Sequence, residues 1–198
     1  YRTEGKQKRQ LKNAFGQYLS PDMVSNLVAD PSQLKLGGET RDMTIMFCDI
    51  RGFTAISEAL KDKPLKLTEV INRLLTGLST DILATGGTID KYMGDCIMAF
   101  WNAPLQQSDH AARATSSAES MLNHIDEIND ELIRDGLASE PFRVGIGVGS
   151  GICVVGNMGS EQRFDYTVLG DVVNTVSRLE GMTKQYGVGA LLTGQTVE

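Results

Sequence analysis

The chain has 198 residues, 41% of them hydrophobic, which is enough for one domain with a buried core. Its net charge of −6 argues against a broad nucleic-acid-binding surface, which is normally basic. A single anionic ligand remains compatible with this charge, because a bound divalent metal would supply positive charge locally. No segment approaches the roughly 20 unbroken apolar residues that span a bilayer, and the N-terminus lacks the apolar core of a signal peptide.

The three cysteines indicate a reducing environment. Cys48, Cys96 and Cys153 all fall inside apolar runs, and they are odd in number with no close spacing. Their spacing also does not match that of zinc ligands. We therefore expect buried, reduced thiols and a cytoplasmic location for this part of the protein.

The N-terminal third begins with a basic segment and continues into a first strand. Five of the first 14 residues are basic, which is typical of a solvated linker or helix end. Ser20-Pro21-Asp22 then predicts the N-cap and first turn of a short helix. Residues 31–40 have the composition of a loop, and the apolar run at residues 43–48 predicts a buried strand.

The remaining patterns alternate between helices and strands. In chain order they predict a helix at 65–83, a hairpin over 88–100 turning at Gly94-Asp95, a helix at 108–132 capped by Ser108 or Asp109, a strand at 142–155 and a helix at 172–186. Because hairpins require antiparallel pairing, we expect an α+β fold in which helices cover one side of a largely antiparallel sheet.

Four glycines alternate with larger residues in the strand predicted at 142–155. They are Gly145, Gly147, Gly149 and Gly151. The spacing is not G-x-G-x-x-G, so a dinucleotide-binding Rossmann fingerprint is absent. Alternation leaves one face of the strand bare, and we expect a neighbouring element to approach closely there.

The segment FCDIRGFT, residues 47–54, is the first candidate for chemistry. It places Asp49 at the end of a buried strand, before a glycine turn and a helix that starts near Thr54. A carboxylate there can bind a metal, and a helix N-terminus can bind phosphate, although such an Asp is often only a cap. A phosphatase of the haloacid dehalogenase type would need a second Asp two residues later, where this chain has Arg51.

The segment IDKYMGDCIMAFW, residues 89–101, places Asp95 at the tip of the predicted hairpin. An acid in a turn is unremarkable alone, but two acids at the ends of neighbouring strands form an oxygen-rich site that suits Mg²⁺. Two metals held this way can activate a hydroxyl and neutralise a pyrophosphate leaving group. Strand alternation places Lys91 on the same face as Asp95, and a lysine is rarely buried without a partner.

The segment RFDYTVLGDVVNTVSRLE, residues 163–180, supplies a polar helical face. Asn174 and Arg178 are four residues apart, so they project from the same side of the predicted helix, and Asp171 could cap it. Thr167 lies upstream on a short extended run. An Asn–Arg pair can bind a sugar and a phosphate together, although an exposed polar stripe is the simpler interpretation without the other motifs. His110 and His124 lie in a helical pattern without a partner motif, and no nucleophile–base triad is apparent.

In combination these segments resemble the catalytic domain of class III adenylyl and guanylyl cyclases. FCDIRGFT, DKYMGD, RVGIGVGSG and YTVLGDVVNTVSRLE occur in the family's order, and the resemblance runs from about Gly38 to the end. It implies a ferredoxin-like βαββαβ core in a catalytic domain over residues 38–198. It also implies a head-to-tail homodimer with active sites at the subunit interface. Residues 1–37 resemble the helical linker that joins such domains to upstream sensor or membrane-bound regions.

The resemblance also implies roles for individual residues. Asp49 and Asp95 match the aspartates that bind two divalent metal ions, Mg²⁺ or Mn²⁺, and the Ile50 carbonyl would join them. Lys91 and Thr167 match the pair that selects the base, and this combination implies adenine. Asn174 and Arg178 match the residues that orient the ribose and stabilise the transition state. The triphosphate would be held by the loop of Ile50, Arg51, Gly52, Phe53 and Thr54.

The resemblance therefore implies an adenylate cyclase that converts ATP to 3′,5′-cyclic AMP and pyrophosphate. Thr167 stands where many adenylyl cyclases have Asp. In having Thr there, the chain resembles a subgroup of the family that is described as stimulated by bicarbonate. The family also has a C-terminal strand pair with a phosphate-contacting lysine, and we expect this chain, ending at Glu198, to lack it. The alternatives are a guanylate cyclase and a non-catalytic nucleotide-binding regulatory module; a diguanylate cyclase would need a GGDEF motif, which is absent.

Overall fold

The structure is a computed structural model that describes residues 35–197. Its strands are β1 (Gly37–Arg51), β2 (Thr88–Met93), β3 (Cys96–Trp101), β4 (Arg143–Gly159), β5 (Phe164–Leu169) and β6 (Ala190–Leu192). Its helices are α1 (Phe53–Ala59), α2 (Pro64–Ala84), α3 (His110–Arg134), α4 (Asp171–Tyr186) and α5 (Gly194–Val197). The order β1-α2-β2-β3-α3-β4 is the predicted βαββαβ core, and the α+β class is confirmed.

One sheet organises the described residues. Its strand order is β2-β3-β1-β4-β5, with β6 paired to β4 on a separate branch. All pairs are antiparallel except β4 with β6. The two longest strands, β1 and β4, pair along the whole length of β1, from Gly37 opposite Asn157 to Arg51 opposite Arg143. This central pair carries Asp49 near the end of β1 and has β3 on one side and β5 on the other.

Helices α2 and α3 cover one face of the sheet. Their apolar stripes, which include Leu74, Leu78 and Met121, pack in one buried cluster with strand residues such as Met46 and Ile146. Amphipathic helices of this kind owe most of their stability to burying such a stripe. Each of these five side chains is fully buried, as expected for the centre of a hydrophobic core.

The opposite face carries α4, which approaches the glycines of β4 closely. A Cβ atom on Gly147 would lie 2.6 Å from the Val176 carbonyl oxygen and 2.7 Å from the Glu180 nitrogen. The close approach expected from the alternating glycines is therefore confirmed. The expectation that helices cover only one side is wrong, because the bare face of β4 admits a helix there too.

Two strands are longer than their local patterns predicted. Residues 37–40, expected to be loop, form the first part of β1 and pair with β4. Their glycine-rich, charged sequence gives no local strand signal, so the pairing partner determines their conformation. Strand β4 likewise continues to Gly159 because its far end pairs with β5.

Several helix ends also differ slightly from expectation. The N-cap residue of α3 is Asp109, one of the two predicted candidates, although its side chain makes no capping hydrogen bond. Asp171 is the first residue of α4 rather than its cap, which is Gly170. The helix predicted after Ser20-Pro21-Asp22 and the basic start of the chain lie outside the described residues. Within residues 35–197, no helix is long and apolar enough to cross a membrane.

Candidate active site

Asp49 and Asp95 lie side by side at one end of the sheet. Asp49 is near the end of β1, and Asp95 is in the turn between β2 and β3, where Gly94 has a φ of +66°. Strands β1 and β3 are neighbours, with Cys48 opposite Ile97, so the two acids come together at the same edge. Burial raises the pKa of Asp49, and the charge of Asp95 and a hydrogen bond between the two side chains raise it further.

This pair fits a divalent cation. Like charges on two neighbouring carboxyl groups repel each other, and a cation bound between them would relieve that repulsion. Oxygen donors alone suit Mg²⁺ or Mn²⁺. Within the described part of the chain no three His, Cys, Asp or Glu side chains gather in a metal-binding cluster. The remaining ligands would therefore be a backbone carbonyl, water or substrate oxygens.

A cleft of about 570 Å³ opens beside the two aspartates. Gly52, at the start of α1, adopts the left-handed conformation with φ +77°, which allows the chain to turn sharply from β1 into the helix. The lining residues are Asp49, Ile50, Arg51, Gly52, Phe53, Thr54, Ala55, Glu58, Asp95, Glu180, Gly181 and Lys184. The two aspartates and the whole predicted phosphate loop thus share one cleft.

Sequence reasoning missed Glu180 and Lys184, which reach the cleft from α4. The helix lies so close to β4 that a Cβ atom on Gly145 would be 2.8 Å from the Glu180 Oε1 atom. Burial, together with the charges of Asp49 and Asp95, raises the pKa of Glu180 to about 7, and the charge of Arg51 opposes this rise. The glycine stripe predicted a close neighbour, but nothing in the local pattern identified which helix would fill it.

The Arg51 side chain turns away from its own loop. Its Nη2 atom donates a hydrogen bond to the carbonyl oxygen of Val188, which follows α4. Its Nε atom is buried and makes no hydrogen bond within the described residues. The side chain therefore joins the end of β1 to the connection between α4 and β6.

Lys91 and Thr167 come together through a residue that was not predicted, Asp90. Thr167 Oγ1 donates a hydrogen bond of 2.5 Å to Asp90 Oδ2, and Lys91 Nζ lies 3.4 Å from Asp90 Oδ1. The two predicted base-selecting residues are thus held by one carboxylate, although they lie on strands at opposite ends of the sheet order.

A β-bulge in β2 creates this arrangement. Ile89 pairs with Ala99 and Lys91 with Met98, so Asp90 is the extra residue between two successive pairs. Ala99 belongs to the core cluster under α2 and α3, whereas Met98 belongs to the cluster on the opposite face. The bulge therefore places Lys91 on the face of the sheet where Met98 packs in one cluster with residues of β5 and α4. Simple alternation along β2 could not predict this.

Asn174 and Arg178 lie one turn apart on α4, as predicted. Both side chains are exposed, and neither makes a hydrogen bond or ion pair to the part of the chain that the structure describes. The residues lining the cleft include neither of them, nor Lys91 or Thr167. The cleft of a single chain thus brings together only some of the predicted site residues.

The two histidines contact groups outside the cleft. His110 Nδ1 lies 2.7 Å from Thr44 Oγ1, and His124 Nδ1 lies 2.9 Å from Asp81 Oδ2. Each contact joins α3 to another element of the fold. Both histidines therefore have packing partners, in agreement with their interpretation as ordinary residues.

Comparison with known proteins identifies the family. The family model for the adenylate and guanylate cyclase catalytic domain matches residues 38–196. The chain belongs to this cyclase family. Its FCDIRGFT and DKYMGD segments, which carry Asp49 and Asp95, both lie inside the matched region.

Curated relatives of this cyclase domain include two bacterial adenylate cyclases. The chain is 38% identical over 191 residues to an adenylate cyclase of Anabaena cylindrica, a match covering 96% of the chain and 36% of that protein. It is 36% identical to adenylate cyclase 1 of Rhizobium meliloti, covering 79% of the chain and 23% of that protein. The cyclase domain therefore spans only about a third or less of these relatives.

Solved cyclase structures share the fold. The adenylyl cyclase CyaB from P. aeruginosa superimposes with a TM-score of 0.74 at 36% identity, covering 81% of each chain. The guanylyl cyclase Cya2 gives a TM-score of 0.73 at 37% identity, covering 82% of this chain and 79% of that one. Because cyclases named for different bases match equally well, overall similarity does not distinguish ATP from GTP as the substrate.

Proposed function

We propose that this cyclase domain is an adenylate cyclase that converts ATP to 3′,5′-cyclic AMP and pyrophosphate with the help of divalent metal ions. The observation that carries the proposal is the contact of Asp49 with Asp95 in a cleft lined by the loop of residues 50–54. The adenylate cyclases of Anabaena and Rhizobium and the structure of CyaB support the same reaction.

The two aspartates and the loop of residues 50–54 have distinct tasks in this proposal. Asp49, Asp95 and the Ile50 carbonyl would hold two Mg²⁺ or Mn²⁺ ions, which would supply charge neutralisation and activation of the attacking hydroxyl. The backbone of residues 50–54 would bind the triphosphate beside them. In the reaction, the ribose 3′-hydroxyl loses its proton to solvent, to a substrate phosphate or to Asp49. Its oxygen forms a bond to the α-phosphorus, and the bond to the bridging oxygen of pyrophosphate breaks.

The predicted site residues that do not line the cleft would bind the nucleoside and the reacting phosphate. Lys91 and Thr167 would contact the base, Asn174 would orient the ribose, and Arg178 would stabilise negative charge in the transition state. None of these four residues lines the cleft that holds the aspartates. We propose that a second copy of the chain, arranged head to tail, supplies them, so that two sites form at the interface and the monomer is inactive.

The base preference follows from Lys91 and Thr167. Adenine presents an acceptor at N1 and a donor at its exocyclic amine, whereas guanine presents a donor at N1 and an acceptor at O6. A lysine ammonium only donates, which matches the adenine acceptor. A guanylate cyclase is the second candidate because Cya2 is as similar as CyaB, but Lys91 would face a guanine donor.

We propose that residues 38–198 form the cyclase domain and that residues 1–37 link it to an upstream sensor or membrane region. The match of the family model to residues 38–196 supports the boundary. The much greater length of the Anabaena and Rhizobium relatives supports the presence of further regions in the full-length protein. In this proposed arrangement the catalytic domain lies in the cytoplasm, and the full-length protein acts in signalling.

A product assay tests the proposal. The purified dimer is incubated with ATP or GTP and with Mg²⁺ or Mn²⁺, and the cyclic products are separated by chromatography. We expect metal-dependent cyclic AMP and little cyclic GMP. Equal rates with both nucleotides would overturn the base assignment, and nucleotide binding without any product would indicate a non-catalytic regulatory module.

A further inference from the structure

Asp90 is a deeply buried acid that contacts both predicted base-selecting residues, Lys91 and Thr167. Its side chain is only 1% exposed, whereas that of Lys91 is 42% exposed. As the extra residue of the β2 bulge, Asp90 is not needed for strand pairing. An unpaired buried carboxylate is strongly destabilising, so this one depends on the groups around it.

Two groups contact the Asp90 carboxylate: the Thr167 hydroxyl by a hydrogen bond, and the Lys91 ammonium by an ion pair that leaves Oδ1 without a hydrogen bond within the described residues. Thr167 Oγ1 donates to one oxygen at 2.5 Å, and the Lys91 ammonium lies 3.4 Å from the other. Burial raises the pKa of Asp90, while the Thr167 hydrogen bond and the Lys91 charge oppose that rise. The negative charge of a further acid, Asp165, also raises the pKa of Asp90. The lysine favours the ionised carboxylate, which can only accept hydrogen bonds.

This contact determines what Thr167 can offer a ligand. A threonine hydroxyl has a single hydrogen and two acceptor lone pairs. With the hydrogen directed at Asp90 Oδ2, the hydroxyl presents only lone pairs elsewhere. A free threonine could instead rotate its hydroxyl and serve either as donor or as acceptor.

We propose that Asp90 is a positioning residue that fixes Thr167 as a hydrogen-bond acceptor and thereby makes the base pocket selective for a purine with a 6-amino group. The proposal rests on the proposed adenylate cyclase function. Lys91 supplies the donor for adenine N1, and Thr167 accepts from the exocyclic amine. A 6-oxo purine would place its O6 acceptor against the acceptor face of Thr167, leaving both groups without a hydrogen.

The test compares Asp90→Ala with Asp165→Ala in the dimeric protein. Asp165 is an exposed acid two residues before Thr167 whose charge also reaches Asp90, so its removal is a matched loss of charge. The readout is the ratio of kcat/KM for ATP to kcat/KM for GTP. We expect wild type and Asp165→Ala to share a ratio of about 100 or more, because a misplaced polar group is strongly rejected. In Asp90→Ala the ratio should fall at least about tenfold, since the freed hydroxyl can donate to O6.

A second measurement does not depend on the Asp90 variant folding. Purine riboside triphosphate lacks the 6-amino group, and wild type should use it about tenfold less well than ATP, the effect of one hydrogen bond. Thr167→Ser keeps the hydroxyl and should keep this difference, whereas Thr167→Val should abolish it. A thermal-shift titration of wild type, Asp90→Ala and Asp165→Ala with ATP, GTP and purine riboside triphosphate repeats the comparison without catalysis.

The outcomes separate this inference from the proposed function. If Asp90→Ala keeps the wild-type ratio, or if both acid variants lower it equally, Asp90 does not position Thr167 and the inference is overturned. It is also overturned if wild type uses ATP and purine riboside triphosphate equally well. If wild type forms no cyclic product from any nucleotide, the cyclase proposal fails, and the thermal-shift comparison still decides the role of Asp90.

Discussion

The carboxyl groups of Asp49 and Asp95 lie in hydrogen-bond contact at the edge of a single cleft. Asp49 lies near the end of β1 and Asp95 in the turn between β2 and β3, and they meet because β1 and β3 are neighbours in the sheet. Their proximity is unfavourable without a cation or a shared proton, and it raises the pKa of Asp49. Such a pair is more easily understood as a binding site than as a contribution to stability.

Metal addition should stabilise the folded protein through Asp49. A ligand that binds only the native state at 100 times its Kd adds about 2.7 kcal/mol to the free energy of unfolding. We therefore expect Mn²⁺ to raise the Tm of the wild type and not that of Asp49→Ala, measured by calorimetry. Asp126→Ala removes an exposed acid on α3 and should respond like the wild type. An equal Mn²⁺ shift in Asp49→Ala would contradict the assignment of this metal ligand.

Glu180 should make the stability of the metal-free protein depend on pH. Its pKa is about 7 in the folded protein against 4.5 for an ordinary Glu, so the folded state binds the proton more tightly. The contribution of Glu180 to the free energy of unfolding should therefore be largest below pH 4.5. It should fall as pH rises from 4.5 through about 7.

The variant Glu180→Gln, which cannot ionise, measures this effect. After allowance for solvent screening, we expect it to be about 1 kcal/mol more stable than wild type at pH 8, or about 2–4 °C in Tm. Near pH 4.5 the difference should vanish. The exposed Glu127→Gln serves as the control. A Tm difference that does not change between these two pH values would show that the Glu180 carboxyl is not perturbed.

Two glycine substitutions near α4 should have opposite effects. A Cβ atom on Gly147 would meet the backbone of α4 at 2.6–2.7 Å, so Gly147→Ala must displace the helix that carries Asn174 and Arg178. We expect it to lower the free energy of unfolding by about 1–3 kcal/mol. A Cβ atom on Gly181, within α4, meets nothing within 4 Å.

The second substitution, Gly181→Ala, should stabilise the protein by about 0.5–1 kcal/mol, because alanine is the better helix former. Denaturant titration of both variants measures the difference. If Gly147→Ala proved as stable as Gly181→Ala, the close contact between α4 and β4 described above would be incorrect.

Local sequence patterns were sufficient to predict much of the fold. The helices α2, α3 and α4 and the β2–β3 hairpin have clear apolar periodicity or turn residues, and the structure has them close to their predicted bounds. Asp49 and Asp95 were predicted for the same reason, since strand ends and hairpin tips can be recognised locally. Their contact followed from strand neighbours in the predicted fold.

Features that depend on pairing between distant segments could not be predicted. The first residues of β1 are extended only because β4 pairs with them, and α4 crosses the second face because β4 is bare there. Asp90 is the clearest case, since its neighbour Lys91 was predicted and it was not. A bulge is a two-strand property, and the partner of Asp90 is Thr167, on a strand that no local pattern connects to β2.

Mixing two inactive variants tests the central claim most directly, because it requires both cyclase chemistry and a shared site. Asp49→Ala lacks a proposed metal ligand, and Arg178→Ala lacks a proposed transition-state contact that should be worth about 10²–10³ in kcat. Each alone should make almost no cyclic AMP. In an equal mixture, half of the dimers are mixed and each has one intact site, so about one quarter of wild-type activity should return. No recovery in mixtures where mixed dimers are shown to form would contradict a site shared between two copies of this chain.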